Sequence, residues 1–237
     1  DLTSLDQILS FPGIKSPRTM FENISSLQPG HYLQVKDGKI TDFEYWDLVY
    51  PSESDILPEQ PEIYYLEKLE ELLQQSVKYR LIADVPVGFY LSGGLDSSLI
   101  AALIHQLYPG EKRHSFSIGF TDNTIDERHY QQLMVTQVNS IHHEQVFDWP
   151  DISHRFRTMV YHAETPLKET YNTCSLALSE AAKKNKTKVI LTGEGSDELF
   201  AGYIGYRFDK LREEQTDSWD VETLMENQLR EQLWGDS

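Results

Sequence analysis

Two polar, glycine-bearing turns stand out in this chain, and each follows a short apolar run. The first is Leu-Ser-Gly-Gly-Leu-Asp-Ser-Ser at residues 91–98, and the second is Thr-Gly-Glu-Gly-Ser-Asp-Glu at residues 192–198. Both patterns predict a strand, a tight turn and the start of a helix, where small residues leave backbone amides open to an anion. Each turn also carries a carboxylate able to hold a metal ion. Two such turns in one chain indicate nucleotide chemistry.

The elements around these turns alternate between helical and strand patterns. A helical period begins at Ile63, with apolar residues from Leu66 to Val77 on one face. Strands are predicted at 87–91, 114–120, 142–147 and 188–191, and helices at 97–107, 126–138, 153–161 and 173–184. This alternation predicts the α/β class: a parallel sheet with helices on both faces. Ligands bind such sheets at the carboxyl ends of the strands, where both turns fall.

The first fifty residues follow a different pattern. Two strand-like runs, 30–35 and 40–46, flank an Asp-Gly turn and predict a β-hairpin. Prolines among acidic residues then predict a linker. We expect four segments: 1–50, the linker 51–62, a main domain over 63–210, and a charged, helix-compatible tail over 211–237 with Leu224, Leu229 and Leu233 at partial apolar spacing. Because the chain opens at Asp1 and ends without a stop signal, both ends are expected to be truncations.

Composition excludes several classes of function. The net charge of −17 argues against a nucleic-acid partner, which normally requires a basic surface. No apolar run is long enough to span a bilayer, and no secretory signal opens the chain, so no membrane partner is expected. The single cysteine, Cys174, excludes an internal disulfide framework and fits a reducing cytoplasm. We therefore expect a cytoplasmic protein.

Five further segments narrow the interpretation. The first turn lacks the lysine of the ordinary P-loop, and its Ser-Gly-Gly-x-Asp-Ser core resembles the pyrophosphate loop of adenylating amidotransferases. With Leu-Thr-Gly-Glu-Gly-Ser-Asp-Glu-Leu-Phe-Ala-Gly-Tyr at 191–203, the chain resembles the glutamine-hydrolysing asparagine synthetases over nearly its whole length. Matching segments also lie at 17–21, 29–33, 45–48 and 80–88.

The resemblance implies an adenine nucleotide alpha hydrolase-like fold of the PP-loop ATP pyrophosphatase type. Residues 1–50 would be the end of an N-terminal nucleophile glutaminase domain, of the class II amidotransferase type. Residues 63–210 would be the ATP-binding synthetase domain, and 211–237 its truncated helical tail. ATP and Mg²⁺ are the implied cofactors. The implied partners are small molecules, and a homodimer is left open.

Individual site residues follow from the same resemblance. Asp96 and Asp197 would bind Mg²⁺, and Glu164 would position ammonia or take its proton. The implied contacts to ATP or pyrophosphate are Leu91, Ser92, Gly93, Gly94, Asp96, Ser97, Ser98, Ile118, Thr192, Gly193 and Arg80.

Several of these residues, and three others that could carry chemistry, also have a purely structural interpretation. Ser92 or Asp96 could cap a helix, and Glu164 and Arg80 could be solvated helix residues. His142 and His143 indicate the start of a strand more than a metal site, because neighbouring strand residues face opposite ways. Cys174 is expected to be a small core residue.

The activity implied is an ATP-dependent ligase that makes asparagine. The aspartate side chain would attack Mg·ATP to give β-aspartyl-AMP and pyrophosphate, and ammonia from glutamine would then displace AMP. Amides, hydroxyls and a metal aimed at the departing pyrophosphate would stabilise its growing negative charge.

Three departures from the family keep alternatives open. Residue 1 is Asp, not the family's nucleophilic cysteine, and the chain stops before the later synthetase segments, so the fragment alone is expected to be inactive. Glu164-Thr165-Pro166-Leu167 replaces the family's Glu-Thr-Tyr-Asp. A related enzyme acting on another carboxylate, of the β-lactam, lasso-peptide or sugar-modifying type, is one alternative. A non-catalytic ATP-binding paralogue is another, although both metal carboxylates are present.

Overall fold

The fold is taken from a computed structural model that describes residues 1–11, 13–50, 52, 58–167, 170–203, 205–206, 224–225 and 228. Half of the predicted linker and most of the predicted tail, including Leu229 and Leu233, lie outside the described residues. The predicted domain boundaries therefore stay predictions. Within the described residues, no helix has the length and apolar character that crossing a membrane requires.

Helices and strands alternate through most of the described chain. In chain order the elements are α1 (Leu2–Ser10), β1 (His31–Lys36), β2 (Lys39–Glu44), α2 (Glu62–Arg80), β3 (Val87–Tyr90), α3 (Leu95–Leu107), β4 (His114–Phe120), α4 (Arg128–Val138), β5 (Ile141–Phe147), α5 (Trp149–Ala163), α6 (Asn172–Lys184), β6 (Val189–Leu191) and α7 (Ser196–Phe200). Every element predicted from residue 63 to the second turn is present, with ends shifted by a few residues. Helix α1 was not predicted. Its N-cap is Asp1, whose carboxylate accepts hydrogen bonds from the amides of Thr3 and Ser4.

Strands β3 to β6 form a sheet in the order β5-β4-β3-β6. β3 pairs in parallel with β4 on one side, where Phe89 is opposite Ser115, and with β6 on the other, where Val87 is opposite Val189. The predicted α/β class with a parallel sheet is confirmed. Strands β4 and β5 follow β3 on one side of the sheet, whereas β6 lies on the other side of β3. The strand order therefore reverses between β3 and β6. Such a reversal is where open α/β sheets bind ligands.

A β-hairpin precedes this sheet, as predicted. β1 and β2 are antiparallel, with His31 opposite Glu44 and Lys36 opposite Lys39. Asp37 and Gly38 form the turn, and both have positive φ, which is the geometry of a tight primed turn. The rings of Tyr32 and Phe43 stack across the strands with centroids 5.2 Å apart.

The chain divides into two compact units, which are described separately. The first comprises residues 1–75, 118–126 and 145–183, and the second comprises residues 76–117, 127–144 and 184–237. In the second unit, Phe89, Leu91, Ala101 and Phe116 are almost fully buried. In the first unit, Phe147, Met159, Ala177 and Ala181 are buried. Cys174 is half-buried in α6, and burial raises the pKa of its thiol.

His142 and His143 face opposite sides of the second unit's strands, as predicted. The ring nitrogens of His142 lie 2.9 Å from the Ser115 hydroxyl and 3.1 Å from the Ser117 hydroxyl. His143 hydrogen-bonds His114 at 2.7 Å and stacks on Phe116. The two rings are therefore held by different partners, which fits structural roles.

Burial also sets the protonation of these rings. Burial lowers the pKa of His142 below its ordinary value of 6.5, although the Glu144 carboxylate opposes this shift. Burial and the nearby His114 lower the pKa of His143 as well. The unfolded chain therefore binds protons on these rings more readily than the folded protein does.

The free energy of unfolding should consequently fall as the pH drops below 6.5, the ordinary value for both rings. His142→Asn should make this loss shallower, because it removes one of the two rings. At about pH 8 the substitution should cost about 1 kcal/mol, since two serine hydroxyls lose a partner. Urea unfolding at several pH values measures both effects. His154→Asn, at an exposed position in α5, controls for the substitution itself at about pH 8. An unchanged pH slope in His142→Asn would contradict this account.

Candidate functional site

The two glycine-bearing turns lie against each other, because they follow the neighbouring strands β3 and β6. A Cβ atom added to Gly193 would lie 2.8 Å from the Cβ of Asp96 and 2.9 Å from the backbone nitrogen of Ser97. Real Cβ atoms do not approach other atoms so closely, and both neighbours belong to the N-terminal end of helix α3. The glycine therefore allows the second turn to rest directly on the N-terminus of that helix.

Hydrogen bonds among its own serines shape the first turn. The Ser97 hydroxyl accepts from the Ser92 amide at 3.1 Å, lies 2.9 Å from the Ser92 hydroxyl and donates to the Gly94 carbonyl at 3.3 Å. The Ser92 hydroxyl also accepts from the Gly94 amide at 3.2 Å. Ser97 is buried, so its side chain maintains the turn from inside. The assignment of both serines as pyrophosphate ligands stays a prediction.

The N-terminus of α3 is open at this turn. Gly94 is its N-cap, no side chain caps the helix, and the first helical hydrogen bond runs from the Ser98 amide to the Gly94 carbonyl at 3.2 Å. The alternative that Ser92 or Asp96 merely caps the helix is thus not what the structure shows. The amides of Leu95, Asp96 and Ser97 precede the helical ladder and lie at the positive end of the helix dipole. This arrangement suits a phosphate group.

Helix α4 forms a second wall of the first turn, which was not predicted. Gly93 has a φ of +95°, and a Cβ there would lie 3.1 Å from the Glu127 carbonyl and 3.3 Å from the Tyr130 Cβ. Gln131 is 2% exposed, and its side-chain amide donates to the Ser92 carbonyl at 3.0 Å. The sequence did carry a signal for this contact. Helix α4 follows β4, the neighbour of β3, and the carboxyl ends of parallel strands share one edge of the sheet.

The second turn opens the short helix α7. Gly195 is its N-cap with a φ of +94°, and no side chain caps this helix either. The Asp197 carboxylate lies against Gly202, whose amide donates to the Asp197 carbonyl at 3.0 Å. Glu198 accepts a 2.8 Å hydrogen bond from the Tyr203 hydroxyl. That bond lowers the pKa of Glu198 and raises the pKa of Tyr203 to about 12. The Glu198 carboxylate is therefore already hydrogen-bonded to Tyr203. Asp197 is the acidic residue of this turn that is half-buried.

The carboxylates fit a shared magnesium ion better than a metal centre made by protein alone. Among the described residues, no group of three or more His, Cys, Asp or Glu side chains is arranged to hold a metal. Asp96 and Asp197 are half-buried on turns that touch. Mg²⁺ is commonly held by one or two carboxylates together with phosphate oxygens and water. This donor set therefore fits an ion that arrives with a nucleotide, and the assignment stays a prediction.

The other predicted site residues lie in varied surroundings. Leu91 as a whole is 1% exposed and its amide donates to the Phe116 carbonyl at 3.0 Å, and its assignment as a nucleotide contact stays a prediction. Thr192 is exposed beside Gly193, and Arg80 is exposed at the C-terminal end of α2. Ile118 in β4 and Glu164 belong to the first unit.

Glu164 marks the end of a helix. It is the exposed C-cap of α5, with a left-handed φ of 55° that residues other than glycine seldom adopt. Its amide donates to the Val160 carbonyl at 3.3 Å. Helix α5 therefore ends at this C-cap, and the assignment of Glu164 to ammonia stays a prediction.

Comparisons with known proteins identify the family of this chain. The family model described as asparagine synthase matches residues 68–237. Amidase chyE of Penicillium rubens is 35% identical over 231 residues, which cover 91% of this chain and 34% of the relative. The putative glutamine-hydrolysing asparagine synthetase 2 of Methanocaldococcus jannaschii is 33% identical over 209 residues, covering 84% of this chain and 38% of the relative. The chain thus spans about a third of the length of these curated relatives.

Among solved structures, an NH3-dependent NAD synthetase from Campylobacter jejuni is similar with a TM-score of 0.40 and 15% identity. The similarity covers 58% of this chain and 60% of that one.

The contact between the turns predicts the effect of enlarging Gly193. Gly193→Ala should lower the free energy of unfolding by about 2 kcal/mol, because the new methyl group meets backbone that cannot move aside cheaply. Gly110→Ala is the matched control, since a Cβ there meets no atom within 4 Å. It should change stability by less than about 0.5 kcal/mol. Urea unfolding compares the two variants, and equal stabilities would contradict the close packing of the turns.

Proposed function

This chain belongs to the asparagine synthase family. We propose that it carries the ATP-binding part of a ligase that adenylates a carboxylate and then joins the activated carboxylate to ammonia. The observation that carries this proposal is the contact of Gly193 with Asp96 and Ser97. That contact brings together two turns that we propose to bind anions, each with one carboxylate proposed to hold Mg²⁺, at the reversal of strand order.

Backbone groups would hold the phosphates. The uncapped N-termini of α3 and α7 offer amides and positive dipole ends, which stabilise the charge that builds up on departing pyrophosphate. Ser98 and Thr192 add hydroxyls beside these amides, and Arg80 would contribute its charge. When bound by Asp96 and Asp197, Mg²⁺ would neutralise part of the phosphate charge. Leu91, Gly193 and Ile118 are the residues proposed to contact the adenosine.

The acceptor we propose is the side-chain carboxylate of aspartate. Its oxygen forms a bond to the α-phosphorus of ATP while the bond to pyrophosphate breaks. Ammonia then forms a bond to the activated carbonyl carbon, and AMP leaves with the former carboxylate oxygen. Glu164 would orient the ammonia and take the proton that it loses. In the full-length protein, glutamine would supply the ammonia.

A second candidate keeps the same ATP chemistry with another carboxylate as acceptor. Two observations favour it: an amidase is among the most similar curated relatives, and Pro166-Leu167 follows Glu164-Thr165. Pro166 is exposed and Leu167 is half-buried, directly after the C-cap of α5. A change at that place would alter the surroundings of the proposed ammonia site and leave the two phosphate turns intact.

Pyrophosphate release by the full-length protein tests both candidates. With ATP, Mg²⁺, ammonium and aspartate, we expect aspartate-dependent release of pyrophosphate and formation of asparagine, and chelation of Mg²⁺ should abolish both. Ammonium replaces glutamine so that a missing glutaminase does not obscure the result. If other carboxylic acids support release and aspartate does not, the second candidate replaces the first. If no acid supports it, adenylation is wrong.

A matched pair of variants in the same assay tests whether the activity resides at the turns. Asp197→Asn should lower the rate about tenfold or more, because it removes a charge proposed to hold the metal. Glu194→Gln removes a carboxylate from an exposed position of the same turn and should retain the rate. Equal rates in the two variants would exclude the role proposed for Asp197.

A further inference from the structure

Gln131 is a buried amide that contacts the main chain of the first turn from α4. It is 2% exposed and is among the largest fully buried side chains of the described residues. Its Nε2 donates to the Ser92 carbonyl at 3.0 Å, across 39 residues of sequence. Burying a side-chain amide is costly unless its polar atoms are paired. A leucine or methionine would fill such a position at lower cost, so packing alone does not account for a glutamine.

The hydrogen bond fixes the orientation of one peptide unit. In a planar trans peptide, the carbonyl of residue 92 and the N–H of residue 93 point in opposite directions. Because the Ser92 carbonyl is held toward α4, the Gly93 amide points away from α4. The Ser92 amide is fixed at the same time by its hydrogen bond to the Ser97 hydroxyl. Both sides of Ser92 are thus restrained.

The backbone of the turn does not fix this orientation by itself. Gly93 has a φ of +95° and lies against the Glu127 carbonyl and Tyr130 of the same helix. A glycine at such a φ can flip its preceding peptide at little cost. A flipped peptide would present the Ser92 carbonyl, an acceptor, to the ligand. Gln131 is the side chain whose donor opposes that flip.

We propose that Gln131 is a positioning residue for the phosphate-binding turn: by donating to the Ser92 carbonyl, it keeps the Gly93 amide directed toward the bound nucleotide. The proposal rests on the function proposed above. It concerns a residue that touches neither the nucleotide nor the acceptor and that acts through the backbone of the turn.

Three variants of the full-length protein test it, with binding of a non-hydrolysable ATP analogue and Mg²⁺ measured by calorimetry. Gln131→Met fills a similar volume without a donor. Gln131→Glu has nearly the same shape, but its ionised carboxylate only accepts, whereas its protonated form donates. Gln137→Glu is the control, at an exposed position of the same helix. Affinities are expressed relative to the unmodified protein at each pH, so that the pH dependence common to all the proteins cancels.

We expect Gln131→Met to bind the analogue about fivefold to tenfold more weakly at every pH. Gln131→Glu should be weaker still at about pH 9 and should recover toward the unmodified protein at about pH 6, because burial favours the protonated carboxyl. Gln137→Glu should match the unmodified protein throughout. Urea unfolding at each pH limits the comparison to conditions where every variant is folded.

A purely structural role for Gln131 predicts a different pattern. Both variants at 131 would lose stability and keep their affinity for the analogue, and that result would overturn the proposal. Equal weakening of Gln131→Glu at every pH would also overturn it, because the donor would then be irrelevant. If the unmodified protein fails to bind the analogue, the proposed function itself is wrong and this inference falls with it.

Discussion

The close contact of Gly193 with the first turn of α3 is the constraint on which the rest of the site depends. β3 and β6 are paired, so their following turns leave the sheet side by side. That pairing brings the turns near each other, but only a residue without a Cβ lets them touch. The contact brings the N-termini of α3 and α7 to one edge of the sheet. Two short segments far apart in sequence thereby lie side by side.

An acidic chain that binds a polyanion needs a particular kind of site. The net charge is −17, and the two turns contain neither lysine nor arginine. Attraction must therefore come mainly from backbone amides, helix dipoles and a cation that accompanies the ligand, with Arg80 as the proposed charged side chain from outside the turns. Asp96 and Asp197 would repel a bare triphosphate and would favour one that carries Mg²⁺. On this view, the acidic residues make the proposed site selective for the metal-bound form of the nucleotide.

Periodicity in the sequence was enough to predict the strands, the helices that connect them and the hairpin. The edge where the turns meet followed from the rule for parallel sheets. Side-chain roles were harder to predict, because they depend on which face of an element meets which neighbour. Ser97 has the residue type of a phosphate ligand, yet its hydroxyl is used inside the turn. Gln131 is a polar residue on the buried face of α4, and the apolar pattern of that helix gives no sign of its contact with Ser92. Helix α1 was missed although Leu2, Leu5, Ile8 and Leu9 have helical spacing behind the capping carboxylate of Asp1.

Hydrogen–deuterium exchange on the full-length protein tests the central claim most directly, namely that both turns bind the same nucleotide. Exchange is compared with and without Mg²⁺ and a non-hydrolysable ATP analogue, and the hairpin at 31–44 serves as an internal reference. The account predicts slower exchange of backbone amides in both 92–98 and 192–197, with the same dependence on analogue concentration. Protection of only one turn, or of neither, would contradict it.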